Sequence, residues 1–406
     1  MASALHHITV LDLSRILAGP WASQMLADLG AQVIKVEKPL SGDDTRHWGP
    51  PFIQSNNTQQ AAYFHSANRN KQSVAIDISR AEGQAIIIAL VKTADVVIEN
   101  FKVNSLAKYG LDYSTLKQFN PQLIYCSITG YGQTGPYANK AGYDAMIQAE
   151  GGLMSITGAA NHEQGSQPMK VGVAVTDLMT GLYSCNAILA ALMAREHTGQ
   201  GQYIDMALFD VQVAMLANQA MNYLTTGEDP ERLGNAHPNI VPYQSFATLD
   251  GSIMLAIGND LQFTKFCRLI KQPNLATDVR FHTNQHRVHH RAELIPLLAH
   301  CIASQTTHYW LTHLSSLAVP CGAVNTLSQV FQHPQTVHRK LVQQVPNADG
   351  TVINTIASPM NLSVTPVLYH SASPTLGQHT LSCLTNLGYS ADELEQLNNL
   401  GVINLA

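Results

Sequence analysis

Charged side chains are sparse: Asp, Glu, Lys and Arg make up 13% of the 406 residues, and aromatic residues only 7%. A chain so poor in charge and 45% hydrophobic is neither a disordered tail nor a solvated coiled coil. It is long enough for a large buried core and two domains. A formal net charge of −5 also lacks the basic excess that bulk nucleic-acid binding needs, so no nucleic-acid partner is expected. The charge is uneven, however. Residues 1–110 hold ten of the 23 Lys and Arg against nine acids, so an anionic ligand is expected to find its cations in the first quarter of the chain.

Cysteine is scarce too. The six cysteines (Cys126, Cys185, Cys267, Cys301, Cys321, Cys383) are scattered without a CxxC, as small buried hydrophobes in a reducing compartment would be. There is no HExxH, and His286, His289 and His290 crowd one polar helix face beside Arg287 and Arg291, which reads as solvated surface; no metal is expected. There is no GxSxG, so a serine hydrolase lacks its nucleophile turn. Residues 1–15 carry neither a signal-peptide pattern nor an Arg-rich presequence, and no apolar run approaches the length of a membrane span. The expectation is a cytoplasmic protein with no membrane partner.

What the chain does contain is a recurrent alternation of apolar runs and helical patterns. Residues 8–13 predict a strand, Trp21, Met25, Leu26 and Leu29 a helix closed by Gly30, and residues 31–37 (AQVIKVE) the next strand. Such a β-α-β unit implies a parallel sheet with a right-handed crossover. Residues 38–46 then form a polar loop beyond a strand's carboxyl end, where open α/β sheets bind ligands; Glu37 beside it reads as a surface residue. Strands at 73–78, 95–99 and 123–129 follow, with helices at 81–93 and around Leu106 and Lys108. This order predicts a doubly wound α/β domain. Residues 201–207 look strand-like and 207–225 read as one Ala- and Met-rich helix. A Pro/Gly-rich linker follows from Thr226. Strands at 246–249 and 253–257 around Asp250-Gly251 read as a hairpin, and helical segments near 260–271 and 289–303 complete a smaller α+β domain.

Two motifs invite chemistry. Gly130-Tyr-Gly132-Gln-Thr-Gly135 fits GxGxxG after a strand, but Pro136 and the residues beyond it do not open an apolar helix. No NAD or flavin is therefore expected, and the segment reads as a glycine-rich active-site turn. The second motif is residues 168–181, with one carboxylate, Asp177, at the mouth of a small, apolar helix that Gly199 ends. A helix N-terminus favours an anion. Thr176 and Asp177 are also natural N-cap types, so spacing alone leaves open whether Asp177 caps the helix or carries chemistry.

Several stretches, in order and almost from end to end, resemble the class III CoA-transferases, the CaiB/BaiF family that includes formyl-CoA and carnitine CoA-transferases. They are residues 11–20 (LDLSRILAGP), 32–37 with 42–46, 68–71 (NRNK), 99–101 (ENF), 130–136 with 142–144, Gly172 with Asp177, 319–322 and 376–380. Residues 124–136 and 240–246 look most like the succinyl-CoA:glutarate branch, which works on dicarboxylates. The resemblance implies an enzyme whose Asp177 is the nucleophile, with a CoA thioester as substrate and no metal, NAD or flavin. Positions matching the family's CoA contacts are Leu17, Ala18, Lys38, Ile76, Asn100, Phe101, Lys108 and residues 141–144, which include Tyr143 and Asp144. Lys38 and Lys108 stand where some relatives have Arg, which keeps the charge and loses bidentate geometry.

The same resemblance implies a Rossmann-like large domain (1–225 with 325–406), a small α+β domain (226–324) and an interlocked homodimer. A distal substrate carboxylate would need a cation. Arg15 is the first candidate, with Arg46 or Arg69 as rivals. Two departures narrow the chemistry. Only Leu233-Gly-Asn-Ala-His237 stands where formyl-CoA transferases have a glycine run, and Tyr143 replaces the His of the family's racemases. A 2-methylacyl-CoA racemase and a non-catalytic CoA-binding protein are the alternatives.

Overall fold

Val33-Ile34 and Val96-Val97-Ile98 lie in strands buried on both faces, the condition a parallel sheet meets when helices cover each side. The computed structural model describes residues 3–55, 58–347 and 349–405. Its chain divides into two units, one of Met1–Gly152, Val171–Ala220 and Gln335–Ala406, the other of Leu153–Lys170 and Met221–Pro334.

The first unit is built on a seven-stranded sheet. Its parallel strands are β1 (Thr9–Asp12), β2 (Gln32–Glu37), β3 (Lys71–Ile76), β4 (Val96–Glu99), β5 (Ile124–Thr129) and β6 (Tyr203–Ala207), with Ile403–Asn404 antiparallel at one edge. The order is Ile403–Asn404, β3, β2, β1, β4, β5, β6. The chain winds outward from β1 in one direction and from β4 in the other. The crevice beyond the carboxyl ends of β1 and β4 is therefore a topological switch point, where open α/β sheets receive ligands.

Side chains alternate between the two faces. Leu11, Val36, Ile76 and Val97 point to one core, covered by α2 (Ala81–Val91) through Ile86, Ile87 and Leu90. Val10, Val33, Ile98 and Ile124 point to the other, covered by α1 (Ala18–Asp28) through Ala22 and Leu26 and by α4 (Val175–Thr198) through Ile188 and Leu192. Between these helices in sequence lies α3 (Asp144–Glu150), and α5 (Leu208–Met215) follows β6. Helices α1 and α4 approach closely at Gly181, where a Cβ would stand 2.7 Å from the Ala18 carbonyl oxygen and 3.0 Å from Trp21.

By length and composition the 24-residue α4 is apolar enough to cross a membrane, contrary to the expectation that no run comes close. One face of it packs into the core, with Cys185 and Ile188 buried against the sheet, and Arg195 in its last turn pairs with Asp95 at 2.8 Å. Two helical expectations also need correction. Residues 207–225 are not one helix: α5 stops before Leu216, and a second helix, Ala217–Thr226, starts at a residue with φ of +45°. The segment around Leu106 and Lys108 is a single 3₁₀ turn, Ala107–Tyr109, ended by Gly110 at φ +66°.

The second unit has a three-stranded antiparallel sheet of Cys321–Ala323, Ser252–Ala256 and Tyr243–Ala247. The expected hairpin pairs Phe246 with Ile253. Its core gathers Phe246, Leu255, Phe263, Phe266, Leu294 and Trp310. His286 and His289 are exposed, as expected. Arg287 between them is fully buried, donating to the Val241 and Phe281 carbonyls and to Asp260. The helical period turns it inward while its neighbours face solvent.

Candidate active site

The turn after β1 and the turn after β4 meet at the switch point. Asn100 clasps them: its carbonyl oxygen accepts the Arg15 amide at 2.9 Å and its amide donates to the Arg15 carbonyl at 2.7 Å. Ile16 has φ +71°, a strained conformation for a β-branched residue. Its amide donates to Asp43 at 3.2 Å. Asp43, from the loop after β2, also accepts the Thr45 amide and hydroxyl and pairs with Lys35 at 2.9 Å. The Lys35 ammonium in turn donates to the Ser14 carbonyl at 2.8 Å. Burial opposes ionisation of Asp43, but Lys35 and the Thr45 hydrogen bonds outweigh it and hold the carboxyl at about 2.

Two cavities open between these loops. The first, of about 610 Å³, is bordered by Lys38, Ile76, Lys108 and Tyr109. The second, of about 380 Å³, is bordered by Leu17, Ala18, Asn100, Tyr143 and Asp177. Arg15, Phe101 and Ser105 border both. One wall of the second is the glycine-rich turn, where Gly130 meets Gly142 so closely that a Cβ on Gly130 would lie 2.7 Å from the Gly142 Cα. Only glycine permits that approach.

Asp177 is the third residue of α4, not its cap. The N-cap is Ala174, which has no side chain to offer. The exposed amides are met from another helix: one Asp144 oxygen accepts the Thr176 amide at 2.8 Å and the Asp177 amide at 3.3 Å. Asp177 itself is half-buried. Burial first, and the Asp144 charge second, push its carboxyl up to about 7.

The remaining sequence candidates sort by what their donors and acceptors do. Leu17, Ala18 and Ile76 are buried in the cavity walls. Lys38 and Lys108 are exposed at the rim, the Lys108 ammonium 4.6 Å from the Tyr109 ring centre. Tyr143 is 62% exposed. Asp144 was expected against CoA, but its carboxylate is occupied by α4 and by Gln148, whose amide donates to it at 2.7 Å. Arg15 is half-exposed and pairs with Asp44 at 2.7 Å. Arg46 is not available for a substrate. It is 5% exposed, grips both Glu37 oxygens at 2.7 and 2.8 Å, donates to Gln60 and the Pro374 carbonyl, and stacks on Phe64. Glu37 is accordingly a buried partner and not a surface residue. Arg69 is likewise committed to Asp28 and the Ile356 carbonyl.

Sequence reasoning missed Lys35, Asp43 and Tyr63. A Lys in the middle of an apolar parallel strand was the available signal, because a buried ammonium requires a partner. The Tyr63 hydroxyl is pushed up by burial and then by the charges of Asp177, Asp144 and Asp43. Among the described residues no group of three or more His, Cys, Asp or Glu could hold a metal ion.

The model of CoA-transferase family III matches residues 5–380. The chain belongs to CoA-transferase family III. The transferase is 51% identical over 385 residues to a succinate–glutarate CoA-transferase of Agrobacterium fabrum, a match covering 94% of this chain and 95% of the relative. It is 42% identical over 401 residues to the succinyl-CoA:glutarate CoA-transferase of Homo sapiens, covering 98% and 90%. Among solved structures, a CaiB/BaiF family protein from Brucella suis superposes with a TM-score of 0.84 at 49% identity, covering 95% of the transferase and 100% of that chain. The transferase is thus an enzyme whose substrates include CoA thioesters.

Proposed function

We propose that the transferase moves CoA from succinyl-CoA to glutarate or a similar small dicarboxylate, with Asp177 as the group that is acylated. The observation that carries this reading is the position of Asp177 on a cavity that shares Arg15, Phe101 and Ser105 with a second cavity rimmed by Lys38 and Lys108. The CoA phosphates would sit near the two lysines, with Ile76 and Phe101 offering apolar faces and the pantetheine arm passing Phe101 toward Asp177. The activities of the two glutarate CoA-transferase relatives suggest the donor and acceptor.

The chemistry follows from a carboxylate nucleophile. An ionised Asp177 oxygen attacks the succinyl thioester carbon, and the C–S bond breaks to release CoA thiolate and leave a mixed anhydride. The thiolate then attacks the Asp177 acyl carbon, expelling succinate and forming an aspartyl-CoA thioester. Glutarate carboxylate attacks that carbon in turn, releasing the thiolate and forming a second anhydride. Thiolate attack on the glutaryl carbon yields glutaryl-CoA and regenerates Asp177. One hard exchange is divided into steps of similar energy. Leu17 offers no side-chain cap to α1 and Pro20 has no N–H, so the Ala18 and Gly19 amides would be the donors for an oxyanion on this side of the cavity. Arg15, half-exposed on this cavity, would meet the distal carboxylate by giving up its pair with Asp44.

The reading extends to a cytoplasmic homodimer, supported by six unpaired cysteines and by exposed Leu182, Tyr183 and Met193 on α4; light scattering of the purified protein tests the dimer. Asp177→Ala tests the chemistry. Transfer should fall by at least roughly a thousandfold while succinyl-CoA binding by calorimetry is retained. A panel of succinate, glutarate, itaconate, mesaconate, oxalate and formate, read by mass spectrometry of the CoA products, tests the acceptor. Transfer confined to oxalate or formate would overturn the dicarboxylate assignment.

A further inference from the structure

The first turn of α4 is held by a group that its own segment does not supply. Ala174 cannot cap, and Asp144 at the start of α3 does so across 33 residues of sequence, with one oxygen serving the Thr176 and Asp177 amides. The other Asp144 oxygen accepts from the Gln148 amide at 2.7 Å, and the fully buried Gln148 uses its carbonyl oxygen to accept the Val171 amide at 2.9 Å. The Thr176 hydroxyl is tied to the buried Gln212 at 2.6 Å. Asp177 thus rides on a turn fixed on both sides.

A neutral Ser, Thr or Asn would have satisfied the same amides. A carboxylate does more, because it adds a second negative charge within hydrogen-bond distance of the backbone of the residue that is to be acylated. A nearby negative charge disfavours ionisation of Asp177. Ionised Asp177 feels the repulsion, whereas an anhydride or thioester at Asp177 is uncharged and does not. The remaining ionisable groups at this centre are Tyr63, Tyr143, Arg15, Lys102 and Lys140. Arg15 and Lys140 are already paired, with Asp44 and Glu150. Among the described residues Asp177 has no salt-bridge partner, so no ion pair offsets the Asp144 charge there.

We propose that Asp144 is a positioning residue of the transfer reaction, fixing the first turn of α4 and using its negative charge to favour the uncharged covalent states of Asp177 over the free carboxylate. This rests on the reading of Asp177 as the acylated group.

The test compares wild type with Asp144→Asn and with the double variant Asp144→Asn/Gln148→Glu. The single variant keeps an acceptor for both α4 amides and removes the charge. The double variant moves the charge one turn away and restores a donor–acceptor match with residue 148. Two quantities are read with succinyl-CoA and glutarate: the pH profile of kcat/KM, and the fraction of enzyme trapped by borohydride as covalent Asp177 adduct at a fixed ratio of succinyl-CoA to succinate. The acidic limb should move down by about half a pH unit or more in Asp144→Asn, and the trapped fraction should fall roughly threefold or more. The double variant should lie between wild type and Asp144→Asn in both. An acidic limb and a trapped fraction unchanged in folded Asp144→Asn would overturn the proposal while leaving Asp177 as the nucleophile. Absence of any adduct at Asp177 in the wild type would instead remove the reading on which it rests.

Discussion

Replacing Asp43 with Asn probes how the loops around the cavities are held. Asp43 is 1% exposed, and its carboxylate meets the buried Lys35 ammonium at 2.9 Å, the Thr45 amide and hydroxyl, and the amide of the strained Ile16. Its carboxyl is held at about 2 against an ordinary 3.8. That depression is worth about 2 kcal/mol of preference for the ionised form. Removing one partner of a buried pair typically costs about 3–5 kcal/mol. Lys35 keeps some compensation from Asp12 and Glu37, so a loss of about 3 kcal/mol is expected at pH 7. Because the folded value lies below the unfolded one, this stability is fully present above the ordinary carboxylate value and is lost as pH falls through about 2. The deficit of Asp43→Asn relative to wild type should therefore shrink by about 1 kcal/mol between pH 7 and about pH 3. Urea unfolding read by pulse-labelling mass spectrometry on peptides from residues 8–46 follows this unit apart from the other. A difference below about 0.5 kcal/mol at pH 7, or one that grows on acidification, would refute the reasoning.

Lys38→Ala and Lys108→Ala should each weaken acyl-CoA binding by about threefold to fivefold with little change in kcat, and the loss should fade at high salt, as titration calorimetry at two ionic strengths can check. Gly181→Ala should destabilise the α1–α4 contact by about 1–3 kcal/mol, because the new methyl meets the Ala18 backbone oxygen and not a mobile side chain; a thermal scan reads this. The free enzyme's kcat/KM should rise with pH along an acidic limb near 7, since burial and Asp144 raise the carboxyl that must be ionised to attack. A flat profile between pH 5 and 8 would count against Asp177 as the titrating group.

The sheet was legible in the sequence because parallel strands buried on both faces must be near-continuous apolar runs, and 31–37, 95–99 and 123–129 are such runs. The charges inside that fold were not legible. Glu37 and Arg46 read as loop and surface residues, yet they bury one another, and Arg46 takes a further partner at Pro374, 328 residues away. Periodicity cannot announce a partner so distant. The break between α5 and the helix that follows it has neither Gly nor Pro to mark it, and it falls at Ala217. The cap of α4 was not legible for the same reason as the partners of Arg46: Thr176 and Asp177 have cap chemistry in the right place, but the acceptor comes from α3. Leu17, Ala18, Asn100, Tyr143 and Asp177 border one cavity. Their grouping came from family resemblance, since no spacing rule joins segments more than 150 residues apart.

The central claim is that one side-chain oxygen becomes acylated and the same carbon then carries CoA. Borohydride added during turnover with succinyl-CoA reduces an aspartyl-CoA thioester to homoserine, and peptide mapping locates it. The account predicts the modification at Asp177 alone, within residues 171–195. Modification at another residue, or none while CoA transfer proceeds, would contradict it.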